Sequence, residues 1–127
     1  MKNFLNVHDV DNVEQLAQEA IALKNHKFEF QHLGKQKTMV LLFLNSSLRT
    51  RISTQKAAQN LGMQTIVLNL GQDSWQMEYE DGAIMNGNTA EHIKEGAAVI
   101  SEYADIIGIR AFPTLVDKQR DYSEYVL

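Results

Sequence analysis

Residues 39–44, Met39-Val40-Leu41-Leu42-Phe43-Leu44, are six consecutive apolar side chains that run straight into Asn45-Ser46-Ser47-Leu48-Arg49-Thr50-Arg51. The run has the length of a strand and none of the alternation of a half-exposed one, the pattern of a parallel strand covered on both faces. Helical spacing follows at once: Thr54, Ala57, Ala58 and Leu61 share a face, and Gly62 stands where a helix C-cap belongs. A buried strand therefore feeds a helix whose first turn carries Ser47, Arg49 and Thr50. A helix N-terminus offers unpaired N–H groups and partial positive charge, so it suits an anion. Hydroxyls and a guanidinium there add donors matched to phosphate oxygens.

The same pattern repeats outward. Asp11-Asn12-Val13-Glu14 reads as a capping box with Asp11 as N-cap, ahead of an amphipathic helix bearing Val13, Leu16, Ala17, Ala20 and Ile21 on one face. Residues 64–70 form a second strand around Ile66-Val67-Leu68. Asn88-Thr89-Ala90-Glu91 reads as another capping box, opening a helix with Ile93, Ala97 and Ile100 inward. Asp105-Ile106-Ile107-Gly108-Ile109-Arg110 is a third strand of the buried type. Strands alternating with helices predict an α/β fold: a single domain with an open parallel sheet of about four strands and helices on both faces. The span 71–87 is long for a loop, and such loops are usually functional or disordered.

Open parallel sheets bind ligands beyond the carboxyl ends of their strands. Arg49 follows the end of the first core strand and Arg110 ends the third, so both guanidiniums are expected on one rim. Capping alone would explain one hydroxyl among Ser46, Ser47 and Thr50, but not three beside an arginine. Arg51, two residues past Arg49, faces elsewhere and is expected to serve as an ion-pair partner.

Composition excludes several classes. At 127 residues with 44% hydrophobic and 22% charged side chains, the chain is ordinary globular sequence with one core. A net charge of −4 argues against broad nucleic-acid or anionic-membrane binding. Cysteine is absent, which rules out a disulfide framework and thiolate zinc. No apolar run reaches the length of a membrane span, and Met1-Lys2-Asn3-Phe4 lacks the apolar core of a secretory signal, so the cytoplasm is the expected compartment. His8, His26, His32 and His92 lack metal-ligand spacing and read as surface or capping histidines. Glu78, Glu80 and Asp81 read as a solvated loop. Neither a metal nor a cofactor is expected. Trp75, the only tryptophan, lies in the polar loop, where a loop anchor and an aromatic interface residue are equally open readings.

Ser47-Leu48-Arg49-Thr50-Arg51 resembles the Ser-Thr-Arg-Thr-Arg carbamoyl-phosphate signature of the aspartate/ornithine carbamoyltransferases. The strand ending in Arg110 resembles the one that carries that family's second phosphate-site arginine, and the spacing of about sixty residues makes the pair of motifs specific. The resemblance covers essentially all of residues 1–127, as the family's N-terminal, carbamoyl-phosphate-binding domain. Two departures, Leu48 in place of threonine and a loop Gly71-Gln72-Asp73-Ser74-Trp75-Gln76-Met77-Glu78 without a Gly-Lys-Gly-Glu-like pattern, resemble the branch that carbamoylates N-acetyl- or N-succinyl-ornithine in arginine synthesis.

The resemblance implies that Ser47, Leu48 (through its N–H), Arg49, Thr50 and Arg110 bind carbamoyl phosphate, with Arg49 and Arg110 catalytic. It implies that Trp75 reaches the active site of a neighbouring subunit in a homotrimer, and that Ala90 occupies the position that helps select the acyl group. A small uncharged residue there leans toward N-succinyl-ornithine. It also implies a second, amino-acid-binding domain with a His-Cys-Leu-Pro-like loop. That loop does not occur here, and 122–127 reads as the start of a linker helix, so the chain is expected to be a piece of a longer enzyme and inactive alone. An ordinary ornithine or aspartate carbamoyltransferase, and a non-catalytic phosphate-responsive α/β module, are the alternatives. The module is weakened by strand ends bearing Asn45, Asn69 and Arg110 rather than acidic residues.

Overall fold

The computed structural model describes residues 3–74, 76–85, 87–111, 117 and 119. Among them, a short 3-10 turn (Val7–Asp9) precedes α1 (Val13–Asn25), β1 (Thr38–Phe43), α2 (Arg49–Asn60), β2 (Gln64–Asn69), β3 (Gln76–Glu78), β4 (Thr89–His92), α3 (Ile93–Tyr103) and β5 (Ile106–Arg110). Strands β2, β1 and β5 form one parallel sheet in that order, while β3 and β4 pair in parallel as a separate ribbon. The main sheet thus has three described strands rather than about four, and β3 lies in the span anticipated as a loop.

The chain moves one way from β1 to β2 and back across β1 to reach β5. Right-handed crossovers, the general rule for parallel strands, would carry the two connections over opposite faces; α2 packs on β2, and α3 packs on the β3–β4 ribbon. The central position of β1 explains its unbroken apolar sequence: Val40, Leu41, Leu42 and Phe43 are all buried, joined in the core by Ala58 of α2 and by Met63. Each of the four strand side chains contributes about 1.5–3 kcal/mol by leaving water, so this strand dominates the core. Gly108 lies opposite Leu41 in the β1–β5 ladder, where a Cβ would stand 2.7 Å from the Leu41 side chain.

Local signals placed the termini with two shifts. Asn12, not Asp11, caps α1, its Oδ1 accepting from the Gln15 N–H at 3.0 Å. The helix over 89–91 is not formed: these residues belong to β4, and α3 starts at Ile93 under a reciprocal His92–Glu95 capping box. Gly62 ends α2 as expected, at φ +83°, with its N–H bonded to the Gln59 carbonyl and the Met63 N–H to that of Ala58. These two bonds make a Schellman close.

Much of the apolar surface is left open. No residue of α1 is buried, and Val13 and Ile21 are 49% and 63% exposed although their spacing is that of a buried face. Ile106, Ile107 and Ile109 on β5 are also exposed. In α3 the buried residue is Gly96, while Ile93 and Ile100 are half-buried and Ala97 exposed.

Candidate functional site

β1 and β5 run in parallel with Phe43 opposite Arg110, so the end of β5 and the exit from β1 meet on one rim. The Leu44 N–H continues the ladder to the Arg110 carbonyl at 3.0 Å. From the same residue, the guanidinium Nη1 donates to the Ser46 carbonyl at 3.0 Å. Arg110 therefore grips the segment entering α2 with both backbone and side chain.

That segment delivers an open helix start. Leu48 is the N-cap residue, in αR geometry (φ −98°, ψ −61°), and no side chain caps the helix. The first intrahelical bond runs from the Ile52 N–H to the Leu48 carbonyl. The N–H groups of Arg49, Thr50 and Arg51 precede that bond and lack a carbonyl one turn back. Among the described residues, the hydroxyls of Ser46, Ser47 and Thr50 make no side-chain hydrogen bond that would occupy them as caps. Ser53 Oγ donates to the Thr50 carbonyl at 3.3 Å, which leaves the Thr50 hydroxyl out of that bond. Ser47 is half-buried, and Leu48, Arg49 and Thr50 are exposed. A helix start without a cap, with hydroxyls and a guanidinium beside it, can take a phosphate-sized anion.

The structure brings Ser47, Leu48, Arg49 and Thr50 together in one turn and places Arg110 at its entrance. Arg51 is half-buried but, among the described residues, enters no ion pair, so its expected role as an ion-pair partner is not met. Trp75 and 122–127 lie outside the described residues. Ala90 is exposed in β4, on the separate ribbon. No group of three His, Cys, Asp or Glu side chains capable of holding a metal occurs among the described residues. None of their helices is long and apolar enough to cross a membrane. The hollow bordered by Gly34, Lys37, Met63 and Asp105 lies at the amino ends of the strands, away from both arginines.

Sequence reading missed the order within the acidic run. Glu78 is half-buried in β3, and its carboxylate accepts from the N–H groups of Tyr79 (2.8 Å) and Glu80 (3.1 Å) and the Thr89 hydroxyl (3.4 Å). The Glu80 N–H, then that of Tyr79, holds this carboxyl below its usual range. Asp81 pairs with Lys94 and lies 3.8 Å from His92 Nε2. The capping role of His92 does match its sequence reading.

Comparison with known proteins finds relatives along the whole chain. The family model of the aspartate/ornithine carbamoyltransferase carbamoyl-P binding domain matches residues 2–126. The chain is 43% identical over 127 residues to the N-succinylornithine carbamoyltransferase of Bacteroides fragilis, covering all of this chain and 40% of that protein. It is 40% identical over 129 residues to the N-acetylornithine carbamoyltransferase of Xanthomonas campestris pv. campestris, covering all of this chain and 38% of that protein. Among solved structures, a glutamate-to-alanine variant of N-acetyl-L-ornithine transcarbamylase complexed with carbamyl phosphate and N-succinyl-L-norvaline superposes with a TM-score of 0.78 at 41% identity, over all of this chain and 38% of that one. The chain belongs to the aspartate/ornithine carbamoyltransferase family and spans its carbamoyl-phosphate-binding domain.

Proposed function

We propose that this chain is the carbamoyl-phosphate-binding part of a cytoplasmic, homotrimeric carbamoyltransferase that acts on N-acylated ornithine in arginine biosynthesis. The observation that carries the reading is the uncapped start of α2, with Ser47, Arg49 and Thr50 in its first turn and Arg110 fastened to its entrance. The δ-amine of the acylated ornithine attacks the carbonyl carbon of carbamoyl phosphate, and inorganic phosphate leaves. Ser47, Thr50, Arg49 and the Leu48 N–H receive the charge that builds on the departing phosphate. Arg110 contacts the carbonyl oxygen or the amino-acid substrate. Holding the two reactants in line supplies much of the rate, because no covalent intermediate is needed.

Residue 90 faces the acyl group, and Trp75 completes the site of a neighbouring subunit. Support for the first comes from Ala90 itself, small and exposed, beside a homologue whose glutamate-to-alanine variant is complexed with N-succinyl-L-norvaline. A side chain without charge leaves room for the carboxylate of a succinyl group, so N-succinyl-L-ornithine is the preferred substrate. The test is carbamoyl transfer by the complete enzyme carrying this domain, with N-succinyl-L-ornithine, N-acetyl-L-ornithine, L-ornithine and L-aspartate as acceptors. Turnover of an N-acyl compound well above the other two is the expected result. Preference for L-ornithine or L-aspartate would overturn it. The 127-residue chain alone is expected to give no carbamoylated product, since it spans 40% of its N-succinylornithine relative.

A further inference from the structure

The β3–β4 ribbon pairs Gln76 with Thr89, Met77 with Glu91 and Glu78 with His92, so Ala90 is passed over. A bulge leaves its extra residue unpaired and re-aims that side chain, a device common beside active sites and rare in parallel pairs. Ala90 is accordingly exposed, between a half-buried Thr89 and a half-buried Glu91.

Both flanks of the bulge are held. On the upstream side the Thr89 hydroxyl donates to Glu78 Oε2, while Glu78 Oε1 accepts from the Tyr79 and Glu80 N–H groups. On the downstream side His92 Nδ1 accepts from the Lys94 N–H at 3.1 Å, which leaves the proton on Nε2 to reach the Glu80 carbonyl at 3.3 Å. Glu95 closes the cap by accepting from the His92 N–H at 3.2 Å. Glu80 is thus gripped at its N–H by Glu78 and at its carbonyl by His92. Beneath the ribbon, buried Gly96 of α3 leaves room for Met77: a Cβ there would stand 3.1 Å from the Met77 sulfur.

We propose that Glu78 is a positioning residue for acyl selection: through Thr89 it fixes the bulge that aims residue 90 at the acyl group of the substrate. The inference rests on the reading that residue 90 faces that group. A side chain as small as alanine discriminates between acetyl and succinyl only by where its backbone stands, so a shift of a fraction of an ångström there changes selectivity while the phosphate site on the rim of the main sheet is untouched.

The test compares kcat/KM for N-succinyl- and N-acetyl-L-ornithine in the complete enzyme, wild type against Glu78→Gln, Thr89→Val and Thr89→Ser. The KM for carbamoyl phosphate is measured alongside. Loss of the Glu78–Thr89 hydrogen bond is expected to change the ratio of the two kcat/KM values about five-fold in Thr89→Val, and exchange of the carboxylate acceptor for a neutral amide, whose N–H2 must reverse the bond, to move it in the same direction in Glu78→Gln. Thr89→Ser, which keeps the hydroxyl, should retain the wild-type ratio, and the carbamoyl-phosphate KM should hold in all three. An unchanged ratio in Thr89→Val, or equal losses on both acyl substrates, overturns the inference even if Glu78→Gln fails to fold. A wild-type enzyme that turns over neither N-acyl substrate sinks the functional reading itself, and the inference with it.

Discussion

The Arg110 guanidinium donates from Nη1 to the carbonyl oxygen of Ser46 at 3.0 Å, joining the end of β5 to the segment that enters α2. One arginine thereby spans the two elements whose meeting makes the rim, and its charge stands where an anion at the α2 start would need it.

Replacing that arginine tests both roles. Arg110→Ala removes the tie and the charge, and is expected to weaken carbamoyl-phosphate binding about ten-fold or more, the usual scale for a charged hydrogen bond. Arg110→Lys keeps the charge but not the planar fork, so its affinity should fall between the two. Isothermal titration of the three proteins gives the order; a lysine variant indistinguishable from wild type would show that geometry matters little there.

Acid should loosen the amino end of the sheet before the carboxyl end. The Lys37 ammonium at 2.7 Å, and then the Thr38 N–H at 2.8 Å, hold the Asp105 carboxyl below the usual aspartate range. With the folded value depressed, the unfolded chain takes up its proton first as pH falls. The stabilisation is therefore full well above the ordinary value of about 3.9, and is lost as pH drops through it and then through the lower folded value. Melting temperature against pH, wild type beside Asp105→Asn, should show a gap at neutral pH that closes in acid. A gap independent of pH would contradict this assignment.

Gly62 is needed for its conformation. At φ +83°, with the Gln31 carbonyl oxygen where a Cβ would go, Gly62→Ala meets both strain and a clash with backbone. Gly71 has a similar φ of +79° but open space around it. Urea denaturation should therefore find Gly71→Ala destabilised by about 1–2 kcal/mol and Gly62→Ala by clearly more. Equal losses would mean that the contact with Gln31 relaxes without cost.

Charge at residue 90 should reverse the acyl preference. On the proposal that residue 90 faces the acyl group, Ala90→Glu puts a carboxylate beside the succinyl carboxylate, and juxtaposed like charges cost several kcal/mol when partly desolvated. The expected change is a fall of about ten-fold or more in kcat/KM for N-succinyl-L-ornithine relative to N-acetyl-L-ornithine. Comparing the two acceptors in the complete enzyme measures it directly. A ratio that does not move would place the acyl group elsewhere.

The parts of the fold written in long apolar or periodic runs were readable in advance. β1, β2 and β5 fall within a residue of their expected bounds, because each is a short apolar run of strand length, and the longest of them supplies the buried Val40 to Phe43. The start of α2 and its two arginines followed from those strands. The ribbon did not: Gln76-Met77-Glu78 is too short to show a period, and the bulge at Ala90 breaks what alternation β4 has. Asn88 and Glu91 imitate a capping box one turn too early, while the true box uses His92, an uncommon N-cap residue. Periodicity also promised a buried face on α1, yet Ile21 and Val13 remain open, since a pattern says which side is apolar and not what covers it.

The most direct test of the account is calorimetric titration of the 127-residue chain with carbamoyl phosphate, wild type beside Arg49→Ala, with circular dichroism to establish that both are folded. Saturable binding by the wild type that is lost in the variant is the predicted result, since Arg49 stands in the uncapped first turn of α2. Equal binding by both folded proteins would put the anion somewhere other than residues 47–50 and contradict the central claim.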